Sequence, residues 1–422
     1  MYPNKEMTGL PASITVVGGG VIGLAAAFAL VREGCRVTVI DPEPNGHKAS
    51  TGNAGGIAVT EVVPPSTPNL IWQVPRWLLD PLGPLSIRPE YAPRLLPWLV
   101  RFLQAGKRSR AIKIASALAA INRRSRSDTG RMYAAIGLEG DLHDEGALAV
   151  YETMDGFKRD KQEWDLRREF GITCEPIGAE EARRMEPALG QKTACAVWMP
   201  QWSHVSDPRR IHQRLLSYVE ESGGRIVKGE VRHIVRDGAD YIAIHGNEER
   251  TRSAAIVIAA GAWSASLCSE IGDRVSLETE RGYNMTIRNP NVVVNREIIF
   301  AERKFVATPL AIGLRVGGAA EFAGLNAPAN YARSRALAKQ AKLYLPDLNI
   351  DQGSEWMGHR PATPDGLPVI GPSKQLPDVY YAFGHGHLGL TQAATTGVLI
   401  ADLVARRRSS IDITPYSIDR FQ

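Results

Sequence analysis

The sequence predicts an α/β protein of two domains, and three observations carry that expectation. The chain has 422 residues with 44% hydrophobic and 23% charged content, enough to bury a large core and longer than one domain usually runs. It opens with a β-branched run, Ile14-Thr15-Val16-Val17, that leads into Gly18-Gly19-Gly20-Val21-Ile22-Gly23, the pattern of a buried parallel strand turning into a helix. From about 272 to 335 apolar and polar residues alternate, which reads as strands of a second, half-covered sheet.

In the first unit each glycine has a task. Gly18 permits the tight turn, Gly20 lets the backbone approach a pyrophosphate, and Gly23 lets the next helix pack closely on the strand. Val21 and Ile22 lie within this turn, and an Ala-rich helix runs from Leu24 to Arg32. Its N-terminal amides and dipole form an anion site. A second strand, Arg36 to Ile40, ends in Asp41, placed to accept a hydrogen bond from a ribose hydroxyl. The ordered series points to a Rossmann-like dinucleotide site; an ordinary glycine-rich turn is the alternative. An acid at position 41 argues against a 2′-phosphate, so FAD or NAD is preferred to NADP. The uncharged stretch from Ile14 to Val31 has the length of a membrane span, but three consecutive glycines would break such a helix.

Next comes Lys48-Ala49-Ser50-Thr51-Gly52-Asn53-Ala54-Gly55-Gly56, too polar and glycine-rich for core. Near the other end stand Trp356-Met357-Gly358-His359-Arg360-Pro361, Thr363-Pro364-Asp365-Gly366-Leu367-Pro368-Val369-Ile370-Gly371 and Gly384-His385-Gly386-His387-Leu388-Gly389-Leu390-Thr391. Between them lies Ile256-Val257-Ile258-Ala259-Ala260-Gly261-Ala262-Trp263-Ser264. Together these resemble the D-amino acid oxidase family of FAD-dependent oxidoreductases, in its branch of D-amino acid dehydrogenases and D-hydroxyproline dehydrogenases. The resemblance runs nearly end to end and is densest in the first ~60 and last ~70 residues, as a cofactor domain built from separated pieces requires. It implies a Rossmann-like FAD-binding domain of glutathione-reductase type plus an α+β substrate domain with a mixed, largely antiparallel sheet. No second glycine fingerprint follows an internal strand, so no separate nicotinamide site is expected.

The predicted organisation follows the chain. The FAD-binding domain takes 1–65, 205–271 and 336–422; the substrate domain takes 66–204 and 272–335. Prolines at 64, 65, 68, 75, 81, 84, 89, 93 and 97 punctuate a connecting segment in which regular structure is not expected to run far. Trp72, Trp77, Leu78, Leu79, Trp98, Leu99 and Phe102 make it apolar, either by packing over the substrate domain or as a membrane-facing or partner-binding surface. Helices are expected near 106–136 and 156–170, and strands at 147–151 and 193–199. Asp207 caps a helix that starts with Pro208 and runs to about Ser222. A three-strand meander then precedes the strand at 256–260.

The resemblance implies noncovalent FAD held by Gly18, Gly20, Val21, Ile22, Gly23, Asp41, Ser50, Asn53, Ala54, Gly55, Gly261, Trp263, His385, Gly386, Gly389, Leu390 and Thr391. Flavin supplies the hydride acceptor, so the protein's task is orientation. Arg360 is the candidate for the substrate carboxylate, since a guanidinium fork can make two parallel hydrogen bonds to it. Tyr283, in Glu280-Arg281-Gly282-Tyr283, is the candidate second anchor; an ordinary strand tyrosine is its alternative. Arg281, Arg315 and His204 are further candidates. No general base is required if the bound amine is neutral. The implied activity is oxidation of a D-amino acid, with D-proline or hydroxylated D-proline suggested by the Glu280 to Tyr283 segment. Alternatives are a glycine or sarcosine oxidase, the catalytic subunit of a heteromeric amine dehydrogenase, and an FAD-binding assembly or electron-transfer factor.

Lys plus Arg number 50 against 45 Asp plus Glu, a mildly basic balance that selects no partner. The basic runs at 107–110 and 123–126 are interleaved with Ala and Ile and read as solvated helix faces, so no nucleic-acid role is assigned. Cys35, Cys174, Cys195 and Cys268 are scattered, suggesting neither a metal site nor disulfides and fitting a reducing, cytoplasmic setting. The expected partners are a small amino acid and an electron acceptor such as a quinone or electron-transfer protein. A hetero-oligomeric subunit and contact with the inner face of the plasma membrane complete the expectation.

Overall fold

The computed structural model describes residues 11–66, 74, 77, 80 and 82–421. The strand Ser13–Val17 lies at the middle of a six-stranded sheet. Arg36–Asp41 and then Arg225–Lys228 pair on one side of it in parallel; Ala255–Ile258 and Val379–Phe383 do so on the other, and antiparallel Val369–Pro372 closes the edge. The inner strands are buried on both faces, which is why they read as continuous β-branched runs. Helices Val21–Arg32 and Gly389–Val404 pack against each other beside this sheet, bringing the two ends of the sequence together.

A second sheet has nine strands among the described residues. Its path runs Gly353–Ala362, Glu278–Ile287, Gly313–Phe322, Phe305–Leu310, Glu297–Phe300, Ala147–Tyr151, Cys195–Met199 and Glu175–Gly178. All neighbours on that path are antiparallel except Glu297–Phe300 with Ala147–Tyr151, and the short strand Leu85–Ile87 joins Gly313–Phe322 in parallel. Helix Ala332–Lys342 covers one face. This is the mixed, largely antiparallel sheet that the resemblance implies, and the α/β class holds. A meander, Val231–Asp237, Asp240–His245 and Glu249–Ser253, also forms where expected. Asp207 caps its helix by accepting from the Arg209 amide at 2.9 Å.

Two expectations need correction. Strand Gly353–Ala362, assigned by sequence to the closing cofactor segment, pairs along its whole length with Glu278–Ile287, so the mixed sheet continues past the expected boundary at 336. Its nearness in sequence to the cofactor motifs masked a hydrogen-bonding partner in the other sheet. In the proline-rich segment a 14-residue helix, Ala92–Ala105, forms with Pro93 in its first turn and Pro97 inside. Pro93 suits that position, and burial of Leu95 and Trp98 offsets the hydrogen bond that Pro97 removes. Pro68, Trp72, Pro75, Leu78, Leu79 and Pro81 lie outside the described residues.

Candidate active site

The glycine turn is built as the motif requires. Gly18 has φ 108°, and a Cβ there would lie 2.4 Å from the Ala259 carbonyl oxygen, so only glycine fits. Gly23 faces Gly18 across the turn with no room for a side chain. The first-turn amides are not all free: Val21 donates to Ser50 Oγ at 2.9 Å, which provides one acceptor the helix lacks. Asp41 Oδ2 accepts from the Gly19 amide at 2.7 Å, and its other oxygen takes the Glu43 amide and Lys48 Nζ. His212, which sequence reasoning missed, meets the Gly19 carbonyl with Nε2 at 2.7 Å. Its only signal was a histidine on the inner face of an amphipathic helix.

The loop after Asp41 is tied to the mixed sheet. Asn284 Nδ2 donates to the Gly52 carbonyl at 2.7 Å, and Arg315 donates to the Asn53 carbonyl at 2.5 Å and to Thr286 Oγ1 at 3.0 Å. Trp356 Nε1 reaches His47 Nδ1 at 3.2 Å. From the other end of the chain, Thr391 Oγ1 accepts from the Ala58 amide at 2.9 Å. Arg315 therefore positions a loop rather than facing the cavity, and burial lowers its pKa to about 10 against the opposing pull of Asp207.

A cavity of about 1510 Å³ joins these parts. Gly18, Gly20, Val21, Ile22, Asp41, Ser50, Asn53 and Ala54 line it from the N-terminal side, Gly261 and Trp263 from the central segment, and His385, Gly386, Gly389 and Leu390 from the C-terminal side. Gly23, Gly55 and Thr391 stand behind that wall. The four cysteines are buried and do not border the cavity. His385 bonds Thr396 at 2.9 Å through Nε2 while its buried Nδ1 has no partner. Burial takes its pKa down to about 3, so it is neutral.

Arg360 also borders the cavity. Its Nη1 donates to Glu280 Oε1 at 2.6 Å and to the Ala319 carbonyl at 3.3 Å, and Nη2 lies 3.5 Å from the Gly318 carbonyl. Tyr283 is a correction. Its ring reaches the cavity wall, but its hydroxyl donates to Glu321 at 2.6 Å and accepts from the Asn330 amide at 3.1 Å. The hydroxyl is committed on the far face and is not an anchor beside Arg360. Arg281 shares that face, fully buried against Glu321 and the carbonyls of 324–328. His204 is buried and stacked on His143 away from the cavity.

Sequence reasoning missed an inner group of charges. Arg167 holds Glu61 at 3.2 Å; burial works to raise the Glu61 carboxyl, but Arg167, His387 and Lys304 carry it below the usual range. Glu297 lies against Gly56 and accepts from Trp202 Nε1 at 3.2 Å. Burial pushes its pKa up to about 7. His387 opens onto the cavity within electrostatic reach of Glu61, Glu280 and Arg360. An acid inside the apolar strand Glu297-Ile298-Ile299-Phe300 was the one available sign. Among the described residues no cluster of side chains is arranged to hold a metal, and no helix is long and apolar enough to cross a membrane.

Residues 13–403 match the family described as DAO, FAD dependent oxidoreductase. The chain is 34% identical over 415 residues to a D-amino-acid oxidase of Bradyrhizobium diazoefficiens, covering 97% of this chain and 98% of that one. It is 30% identical over 430 residues to a D-amino acid dehydrogenase of Sinorhizobium medicae, with 97% and 99% covered. Among solved structures, glycine oxidase from Geobacillus kaustophilus superimposes with a TM-score of 0.75 at 22% identity over 97% of this chain and 99% of that one. L-proline dehydrogenase from P. horikoshii gives 0.75 at 19% identity over 98% of each chain.

Proposed function

The chain belongs to the DAO family of FAD-dependent oxidoreductases, and from that premise we propose that it oxidises D-amino acids to imino acids, which water converts to 2-oxo acids. The observation that carries this reading is one cavity bordered both by the glycine turn at Gly18 and by the Arg360 guanidinium. The similarity to a D-amino-acid oxidase and a D-amino acid dehydrogenase supports the substrate class.

The residues present fit the cofactor. A turn that excludes any Cβ at Gly18, an acid at the end of the second strand and a buried, unpartnered His385 Nδ1 are features a bound dinucleotide would use. In this proposal Gly18, Gly20, Val21, Ile22, Gly23 and Asp41 hold the adenosine and pyrophosphate half. Ser50, Asn53, Ala54, Gly55, Gly261, Trp263, His385, Gly386, Gly389, Leu390 and Thr391 enclose the ring half. FAD bound there supplies the hydride acceptor. Arg360 holds the substrate carboxylate and so aims the α-carbon. Glu297, Glu61 and Arg167 border the same cavity. We assign residues 205–271 and 363–422, with 1–65, to the cofactor domain, and the remainder to the substrate domain.

A quinone is the acceptor this surface suits. Helix Ala92–Ala105 turns Trp98, Leu99, Phe102 and Leu103 toward the cavity while Leu96 and Val100 stay exposed, an arrangement fitting peripheral contact with a membrane. The test is anaerobic reduction of the holoenzyme with a panel of D- and L-amino acids, D-proline included. Bleaching by D- but not L-isomers supports the proposal, and a flavin left oxidised across the panel overturns it. Reoxidation by a quinone analogue but not by air supports the acceptor.

A further inference from the structure

Arg360 does not stand alone in the cavity. Glu280 and Arg360 are cross-strand partners on Glu278–Ile287 and Gly353–Ala362, both border the cavity, and their side chains are equally open, 26% each. A second Arg–Glu pair on the cavity wall, Arg167–Glu61, is more enclosed, with side chains 8% and 24% exposed. Glu280 is not the guanidinium's sole support among the described residues. Arg360 rests on the carbonyls of Gly318 and Ala319, and it lies so close over Gly282 that a Cβ there would fall 2.4 Å from Cζ.

An α-amino acid presents a carboxylate and an ammonium separated by one carbon. An adjoining cation and anion at the cavity surface are the complement of that arrangement. While the site is empty the two charges satisfy each other, so neither is left uncompensated. Resting on the reading of the chain as an amino acid oxidoreductase, we infer that Glu280 and Arg360 form a zwitterion receptor: Arg360 takes the substrate carboxylate and Glu280 accepts hydrogen bonds from its amino group. Glu280 is thereby the residue that selects amino acids over 2-hydroxy acids and simple carboxylates. A simple carboxylate displaces Glu280 from Arg360 and leaves its carboxylate unpaired, and a 2-hydroxy acid offers it one neutral donor in place of a charged ammonium, so both bind more weakly.

The test compares D-alanine, D-lactate and propionate as ligands of the holoenzyme, by perturbation of the flavin absorption spectrum and by KM and kcat for anaerobic reduction. Wild type is expected to bind D-alanine ~10- to 100-fold more tightly than D-lactate, the range for a hydrogen bond to a charged group. Glu280→Gln should raise the D-alanine KM by a similar factor while propionate binds as before or more tightly, and Glu280→Asp should restore part of the preference. Equal weakening of D-alanine and propionate in Glu280→Gln would show that Glu280 only steadies Arg360, and overturns the inference. So does a wild type that binds D-lactate as tightly as D-alanine, a result that needs no variant. A wild-type flavin that prefers D-alanine to D-lactate yet is never reduced sinks the oxidation reading and leaves the receptor standing.

Discussion

The guanidinium of Arg360 lies flat over Gly282, on the neighbouring strand, with no space for even a methyl group between them. A side chain at 282 must push Arg360 out of its place. Gly282→Ala is therefore expected to raise KM for the D-amino acid by at least ~10-fold, the loss of one charge-assisted hydrogen bond. Flavin content should be unchanged, since the glycine turn at Gly18 is remote in sequence and lies in the other sheet. Steady-state kinetics alongside the 450 nm absorbance per polypeptide checks both halves.

Removing the guanidinium altogether should have the larger effect on the same quantity. Arg360→Ala is predicted to raise KM by ~100-fold or more, with retained flavin. Unchanged kinetics would take Arg360 out of the substrate site.

Glu297 gives a pH dependence of stability. Burial raises its carboxyl from the ordinary glutamate range to about 7, so the folded chain binds a proton that the unfolded chain releases between those values. Stability falls as pH rises through that window and levels off above it, by up to about 3 kcal/mol for a shift of this size. Glu297→Gln, which can still accept from Trp202, should flatten this part of the curve. Urea midpoints measured for both proteins from pH 4.5 to 8.5 should diverge as pH rises, and parallel curves would discard the assignment.

Ser50 acts as a helix cap supplied from outside the helix. Ser50→Ala takes the acceptor from the Val21 amide and should cost about 1 kcal/mol of stability, seen as a lower thermal midpoint for the apoprotein. Because Ser50 also borders the cavity, FAD affinity should fall with it.

Arg315→Met should loosen the Asn53 loop. It removes donors to the Asn53 carbonyl and Thr286, at about 1–3 kcal/mol for buried groups left unsatisfied. Faster loss of FAD on dilution, with KM for substrate little altered, is the expected signature.

The first βαβ unit was legible because each of its residues answers a local demand: β-branched residues for a two-face-buried strand, glycine where a Cβ would strike Ala259, an acid at the strand end. The position of Arg360 on the cavity wall was legible through its motif. The orientation of Tyr283 was not. Strand Glu278–Ile287 pairs without a break with Gly353–Ala362, the extra residue of the register shift being Ala319 on its other neighbour, so plain alternation turns Tyr283 away from the face of Glu280; which of the two faces meets the cavity is set by the pairing with Arg360 and is not written in the strand itself. Glu61, Arg167 and Glu297 come from three separate stretches, and their meeting depends on the sheet path rather than on any spacing. His387 sat within a recognised motif, but its neighbour His385 drew the assignment; only the structure shows that His385 turns inward to Thr396 while His387 opens onto the cavity.

Asn284, Arg315 and Trp356 all reach from the mixed sheet to a single loop that belongs to the parallel one. Such a three-point latch opposes any swing of one half of the molecule away from the other, because each bond grips a different residue between 47 and 53. Trp263, half exposed and edge-on to His359 with ring centroids 5.4 Å apart, borders the cavity that this latch holds in shape.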